Sequence, residues 1–228
     1  MAEVPATSET SSATQSGGMV SMDPENRLRA DTYRLLGRLL ATPPDANLLT
    51  SLAAAPVTED NNLLSVAWRL LASSASRATP TAVFDEYEAL FIGLGRGELV
   101  PYGSWYLTGF LMEQPLAKLR SDMKKLGFER QDGVHEPEDH AAALCEIMAL
   151  LADDDAPDAL ETQAGFFAAH IGPWMARFFR DMQGSASASF YRAVGQLGEQ
   201  FIETDQRYLE MVERKADVPS DPPRTGIS

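Results

Sequence analysis

Apolar residues recur at helical spacing almost everywhere between residues 25 and 215, and this period constrains the fold most. Leu28, Leu35, Leu36, Leu39 and Leu40 share a face, and Pro43-Pro44 stops that helix. Leu63, Ala67, Leu70 and Leu71 form the next stripe, and Phe84, Tyr87 and Phe91 follow at the same spacing. Met112, Leu116, Leu119, Met123 and Leu126 continue it, and Leu144, Ile147, Met148 and Leu151 sit at i, i+3, i+4 and i+7. Phe167, Ile171, Trp174, Phe178 and Met182 make an aromatic stripe, and Val194, Leu197, Phe201 and Tyr208 mark a last long helix. No convincing period-2 run bounded by hairpin turns interrupts the pattern. The expectation is an all-α fold: a single-domain helical bundle of roughly seven to ten helices joined by short loops.

A chain of 228 residues can bury a sizeable core. Residues 1–24 are rich in Ser, Thr, Ala and Gly and hold no Lys or Arg. They and residues 216–228 lack the apolar content that offsets ordering entropy, so disordered tails are expected on either side of a helical domain at 25–215. The single cysteine, Cys145, excludes an internal disulfide and points to a reducing compartment. No apolar run of about 18 residues exists, and no basic start precedes an apolar core at the N-terminus. Neither a membrane span nor a signal peptide is expected, and the simplest location is cytoplasmic.

The formal net charge is −14, which argues against nucleic acid or an anionic membrane as partner. A charge of −10 lies between Arg130 and Arg177, a stretch with no Lys or Arg. Such a run reads as a solvated acidic face that aids solubility. The sharper reading is an attractor for a cationic partner.

Three stretches carry chemistry. In "VHEPEDHAAALCEIMALL", Pro137 suits the first turn of a helix, and Glu136, Glu138 and Asp139 suit the positive end of its dipole. His140 stands four residues before Leu144, on the buried stripe, with Asp139 about 100° round the helix. An acidic helix start with a core-boundary histidine accounts for most of this. His135, His140 and Cys145 lack the pairing of zinc motifs, so neither metal nor cofactor is expected. A general-base role for Asp139 and His140 lacks a nucleophile motif. In "LFIGLGRGELVPYGSWYLTG", Pro101, Tyr102, Ser104, Trp105 and Tyr106 set three aromatics at a helix entrance, with Ser104 its candidate N-cap. No phosphate loop is present, because no Lys-Ser/Thr follows. The stretch suits either core packing or an apolar groove wall with polar tips. In "HIGPWMARFF", Pro173 inside the helical pattern kinks the helix, and His170 shares a face with Phe167 and Trp174.

In this order the stretches resemble the TorD-like (TorD/DmsD/NarJ) family of redox-enzyme maturation chaperones. The matching residues are Tyr87, Leu90-Phe91, Gly95, Pro101 and Ser104, then Glu136-Pro137-Glu138-Asp139-His140, then His170, Pro173-Trp174 and Phe178. The match spans about residues 30–210, and the run "PYGSWYLTGFLMEQPLAKLRSDMKKLGFERQ" resembles members associated with formate dehydrogenases. The resemblance implies an all-helical cytoplasmic chaperone, not an enzyme. Such a chaperone binds the twin-arginine signal peptide, and in some members the body, of a molybdopterin oxidoreductase subunit and delays export until the cofactor is inserted. It implies a monomer or a domain-swapped homodimer, and leaves weak guanine-nucleotide binding open. Asp139 is then the candidate to meet an arginine and His140 to fix the groove wall. Tyr33, Tyr102, Trp105 and Trp174 would line the apolar part, with Pro101, Ser104, Glu136, Pro137 and His170 completing the peptide site. The competing readings are a nucleotide-binding or hydrolytic enzyme using Asp139 and His140, and a structural interaction subunit. One shared groove requires Pro101, Asp139, His140 and Trp174 to converge within about 20 Å, the reach of six extended residues.

Overall fold

The computed structural model describes residues 23–56, 58–93, 96–129 and 136–216. Ten α-helices and one π turn make up its regular structure: α1 (Pro24–Ala41), α2 (Ala46–Ala53), α3 (Leu63–Ala75) and α4 (Pro80–Tyr87), which runs into the π turn Glu88–Ile92. Then come α5 (Gly103–Thr108), α6 (Gln114–Lys125), α7 (Ala141–Ala152), α8 (Ala159–His170), α9 (Met175–Gly184) and α10 (Phe190–Ala216). The fold is all-α. The first four helices start on local caps: Asp23, Asp45, Asn62 and Thr79 each accept a first-turn N–H.

The core forms where α1 packs along α7 and α10 packs across α3, α8 and α9. Gly198 sets the α9–α10 approach, since a Cβ there would fall 2.4 Å from the Phe179 ring. The start of α10 is held from a distance. Glu86 of α4 accepts the N–H groups of Ser189, Phe190 and Tyr191 at 2.7, 3.0 and 2.6 Å. A second buried carboxylate, Asp205, joins α10 to α1 by accepting from Arg29 and from the Tyr33 hydroxyl.

The apolar stripes hold with local rotations. Leu28, Leu63, Leu70, Phe84 and Met112 are exposed rather than buried. On α1 the inward face is turned to seat Arg29 against Asp205, and on α3 it is Ala67, Leu71 and Ala75 that face inward. Pro173 does not kink a continuous helix but ends one. The Phe167 carbonyl accepts from both Ile171 and Gly172, and a new helix starts at Met175. The first helix begins at Pro24 and the last runs to Ala216. Residues 1–22 and 217–228, like Gly95 and His135, lie outside the described residues.

Candidate functional site

The stretch before α5 and the turn before α7 meet as one antiparallel bridge, Tyr102 with His140. Gly103 N–H donates to the Asp139 carbonyl at 2.9 Å and Ala141 N–H to the Pro101 carbonyl at 2.8 Å. These bonds bring "PYGSW" and "EPEDH" together. The Tyr102 ring stands edge-on to His140 with centroids 5.1 Å apart, and its hydroxyl donates to Glu136. Burial and that carboxylate push the Tyr102 hydroxyl's pKa up.

Two caps are made here. His140 is the N-cap of α7: its Nδ1 accepts from Ala142 N–H at 3.1 Å, which places the neutral ring's proton on Nε2. Burial holds the imidazole below its ordinary pKa, against the opposing pull of Glu136 and Asp139. Asp139 serves α5. Its Oδ2 accepts from Ser104 N–H at 2.7 Å, while Oδ1 makes no hydrogen bond. Ser104 Oγ is also buried without a partner. Asp139 is 3% exposed and Ser104 fully buried.

The third motif closes the site. Trp174 Nε1 donates to the His170 carbonyl at 2.8 Å, which folds the indole back over the end of α8. Gly103 makes room for it, because a Cβ there would stand 3.2 Å from Nε1. Between these groups lies a cavity of about 340 Å³. Gly103, Leu107 and Thr108 of α5, Pro115, Lys118 and Leu119 of α6, Leu144, His170, Trp174 and Asp139 line it. The wall is mostly apolar with one buried carboxylate, a composition that suits a ligand with an apolar body and few polar groups. From Leu107 an apolar run continues outward through Phe110, Leu111 and Met112, all exposed.

Polar ties hold α6 as one wall. Asp122 meets His170 Nε2 at 3.0 Å, and Arg120 meets Glu138 at 2.8 Å. Lys125, His170 and Lys118 together lower the Asp122 carboxyl to about 2. Burial lowers the His170 imidazole despite that carboxylate.

The structure brings together Pro101, Tyr102, Ser104, Asp139, His140, His170 and Trp174. Glu136 joins through Tyr102, and Pro137 lends its carbonyl to His140 N–H at 3.1 Å. Four readings need correction. Tyr33 is fully buried, its hydroxyl 2.7 Å from Asp205, so it cannot line an open wall. Trp105 points across α5 into a second hollow of about 830 Å³, under Arg96 at 4.8 Å. Among that hollow's other arginines, Arg177 faces Asp181 and Arg180 faces Glu199 and Glu203. Pro137 precedes α7 rather than opening it, because His140 takes the cap. Ser104 does not cap α5; it is capped by Asp139, 35 residues away.

Part of the acidic stretch is engaged inside the chain: Glu136 with Tyr102, Glu138 with Arg120, Asp153 with Arg34. Sequence reasoning found the apolar stripe of α6 but not its place as a wall of the cavity. Lys118 and Leu119 carry no motif, and only packing on α5 and α8 places them at the cavity.

Among the described residues no cluster of His, Cys, Asp and Glu is arranged to hold a metal ion, and no helix is long and apolar enough to cross a membrane.

A family model described as nitrate reductase delta subunit matches residues 58–180. The chain is 28% identical over 210 residues to the chaperone protein TorD of Shewanella loihica, covering 82% of this chain and 95% of that protein. It is 30% identical over 179 residues to the Tat proofreading chaperone DmsD of Salmonella typhimurium, covering 74% of this chain and 84% of that one.

Proposed function

The chain belongs to the TorD-like (nitrate reductase delta subunit) family of redox-enzyme maturation chaperones, and on that premise we propose that it holds the twin-arginine signal peptide of a molybdenum-containing oxidoreductase until the cofactor is inserted. One observation carries this reading: three separated motifs wall a single, mainly apolar cavity with a buried, half-satisfied carboxylate. A signal peptide of this kind has a basic start and an apolar middle. Asp139 suits the first, and the cavity with its exposed margin Leu107, Phe110, Leu111 and Met112 suits the second. The role is binding rather than catalysis. Asp139 Oδ2 is engaged by Ser104 N–H and His140 Nδ1 by Ala142 N–H, so the two do not form a base and its orienting partner.

The likeness of residues 101–131 to formate-dehydrogenase-associated members supports a formate dehydrogenase as client, and a client that awaits export supports a cytoplasmic site of action. The helical body, 25–215, acts as the chaperone domain. Co-expression tests the reading. A full-length formate dehydrogenase precursor should purify in stoichiometric complex with the chain, and the same subunit lacking its signal peptide should not. Equal recovery of both forms, or nucleotide turnover by the purified chain, would overturn it.

A further inference from the structure

We propose that Ser104 and Asp139 together make the cavity select an arginine side chain over a lysine; the inference rests on the peptide reading above and assigns Ser104 as its specificity residue. Its basis is the pair of buried polar atoms that make no hydrogen bond, Ser104 Oγ and Asp139 Oδ1. They are neighbours, since Asp139 Oδ2 is bound at the Ser104 N–H, 2.7 Å away. Asp139 lines the cavity, and Ser104 shares its face of α5 with Leu107 and Thr108, which line it too.

A buried carboxylate oxygen without a donor is unfavourable, and so is a buried hydroxyl without a partner. The ligand that relieves both must bring more than one N–H on an apolar stem. The chain's own nearby cation does not serve: Lys118 lines the cavity but is 60% exposed, with its Nζ 3.3 Å from Asp122. Thr108 Oγ1 is engaged with the Ser104 and Phe110 carbonyls.

A guanidinium presents several N–H groups in a rigid plane and is weakly hydrated, so it can donate to Oδ1 and to Ser104 Oγ at once. An ammonium is a compact, strongly hydrated charge and loses more on entering an apolar space. Leu107, Leu119 and Leu144 suit the methylene stem. Both polar atoms are closed to solvent in the resting chain, so the side chain reaches them by displacing a wall. α6 lines the cavity through Pro115, Lys118 and Leu119 and is held by its ties Arg120–Glu138 and Asp122–His170.

The test is calorimetry of the full chain with three synthetic client signal peptides. One carries the arginine pair, one has both arginines replaced by lysine, and one has both replaced by citrulline, which keeps the shape without the charge. Wild type should prefer arginine over lysine by about tenfold and bind citrulline weakest. Ser104→Ala removes only an unbonded hydroxyl. It should lower arginine-peptide affinity and bring the arginine-to-lysine ratio within about twofold, with unchanged helicity. Arginine and lysine peptides bound within twofold by wild type would overturn the selection. An equal loss for all peptides in Ser104→Ala would reduce Ser104 to a structural role and overturn it as well. Absence of binding by wild type to every peptide would instead overturn the peptide reading itself, and this inference with it.

Discussion

Two aspartates are buried almost alike in this protein, Asp205 at 2% and Asp139 at 3% exposure, yet their surroundings are opposite. Asp205 is satisfied on both oxygens. Arg29 reaches both, and Tyr33 adds a hydroxyl at 2.7 Å. Arg29 is completed by Gln163 at 2.7 Å and Asn26 at 2.8 Å, and Gln163 by the Leu151 carbonyl at 2.9 Å. This network knits α1, α8 and α10 together and leaves nothing for a ligand. Asp139 accepts one backbone N–H and keeps its second oxygen idle beside a cavity. A carboxylate that only stabilised the fold would be completed as Asp205 is. One left half-bonded in an apolar wall is a cost to the free chain that a cationic ligand removes.

The contrast breaks most visibly at Asp205. Asp205→Ala strands Arg29 inside the helix junction, and urea unfolding should show a loss of about 3–5 kcal/mol. Stability unchanged within about 1 kcal/mol would mean that the network is ornamental and the comparison empty. Glu86→Ala should come next, because three N–H groups at the start of α10 lose their acceptor. A loss of about 2–3 kcal/mol is expected by the same assay, with hydrogen exchange fastest at Ser189, Phe190 and Tyr191.

Asp139→Asn should reverse the pattern. Stability should move by no more than about 1 kcal/mol, because the amide oxygen can still accept from Ser104. Affinity for a twin-arginine peptide should fall by about 1–3 kcal/mol and lose most of its salt dependence in calorimetry. A large loss of stability with unchanged affinity would put Asp139 in the same class as Asp205.

The smallest effect is on acid stability. His140 and His170 are both held below the ordinary imidazole range by burial. Between the folded and unfolded values the unfolded chain binds more protons, so stability rises with pH there and falls below about pH 6.5. Asp122, lowered to about 2, works at the other end of the scale: its contribution is present above the ordinary carboxylate range and disappears only as pH falls toward 2. The first acid loss should therefore belong to the histidines. His140→Asn keeps an N-cap acceptor and removes one titration, so denaturation midpoints between pH 8 and 5 should slope less steeply than in wild type. An unaltered slope would rule His140 out as a source.

What could be read directly from the residues is local. Helical period and the breaking power of Pro43-Pro44 and Pro173 act within one or two turns, so the all-α class and most element positions follow from neighbours in the chain. The motifs "PYGSW", "EPEDH" and "HIGPW" were legible as chemistry, and their resemblance to a family supplied the expectation that they meet.

Tertiary structure alone decided which polar groups are completed and which are left open. Tyr33 looked like a groove residue, but Asp205, 172 positions away, draws it inside. Ser104 looked like a cap, but Asp139, 35 positions away, caps it instead and is left with one idle oxygen. Leu119 read only as part of an apolar stripe and Lys118 carried no signal, yet the packing of α6 on α5 and α8 makes them a cavity wall. The physical reason is common to all three. Hydrogen-bond satisfaction and cavity shape depend on partners brought together by burial, and the helical period that specifies burial is silent about which partners those will be.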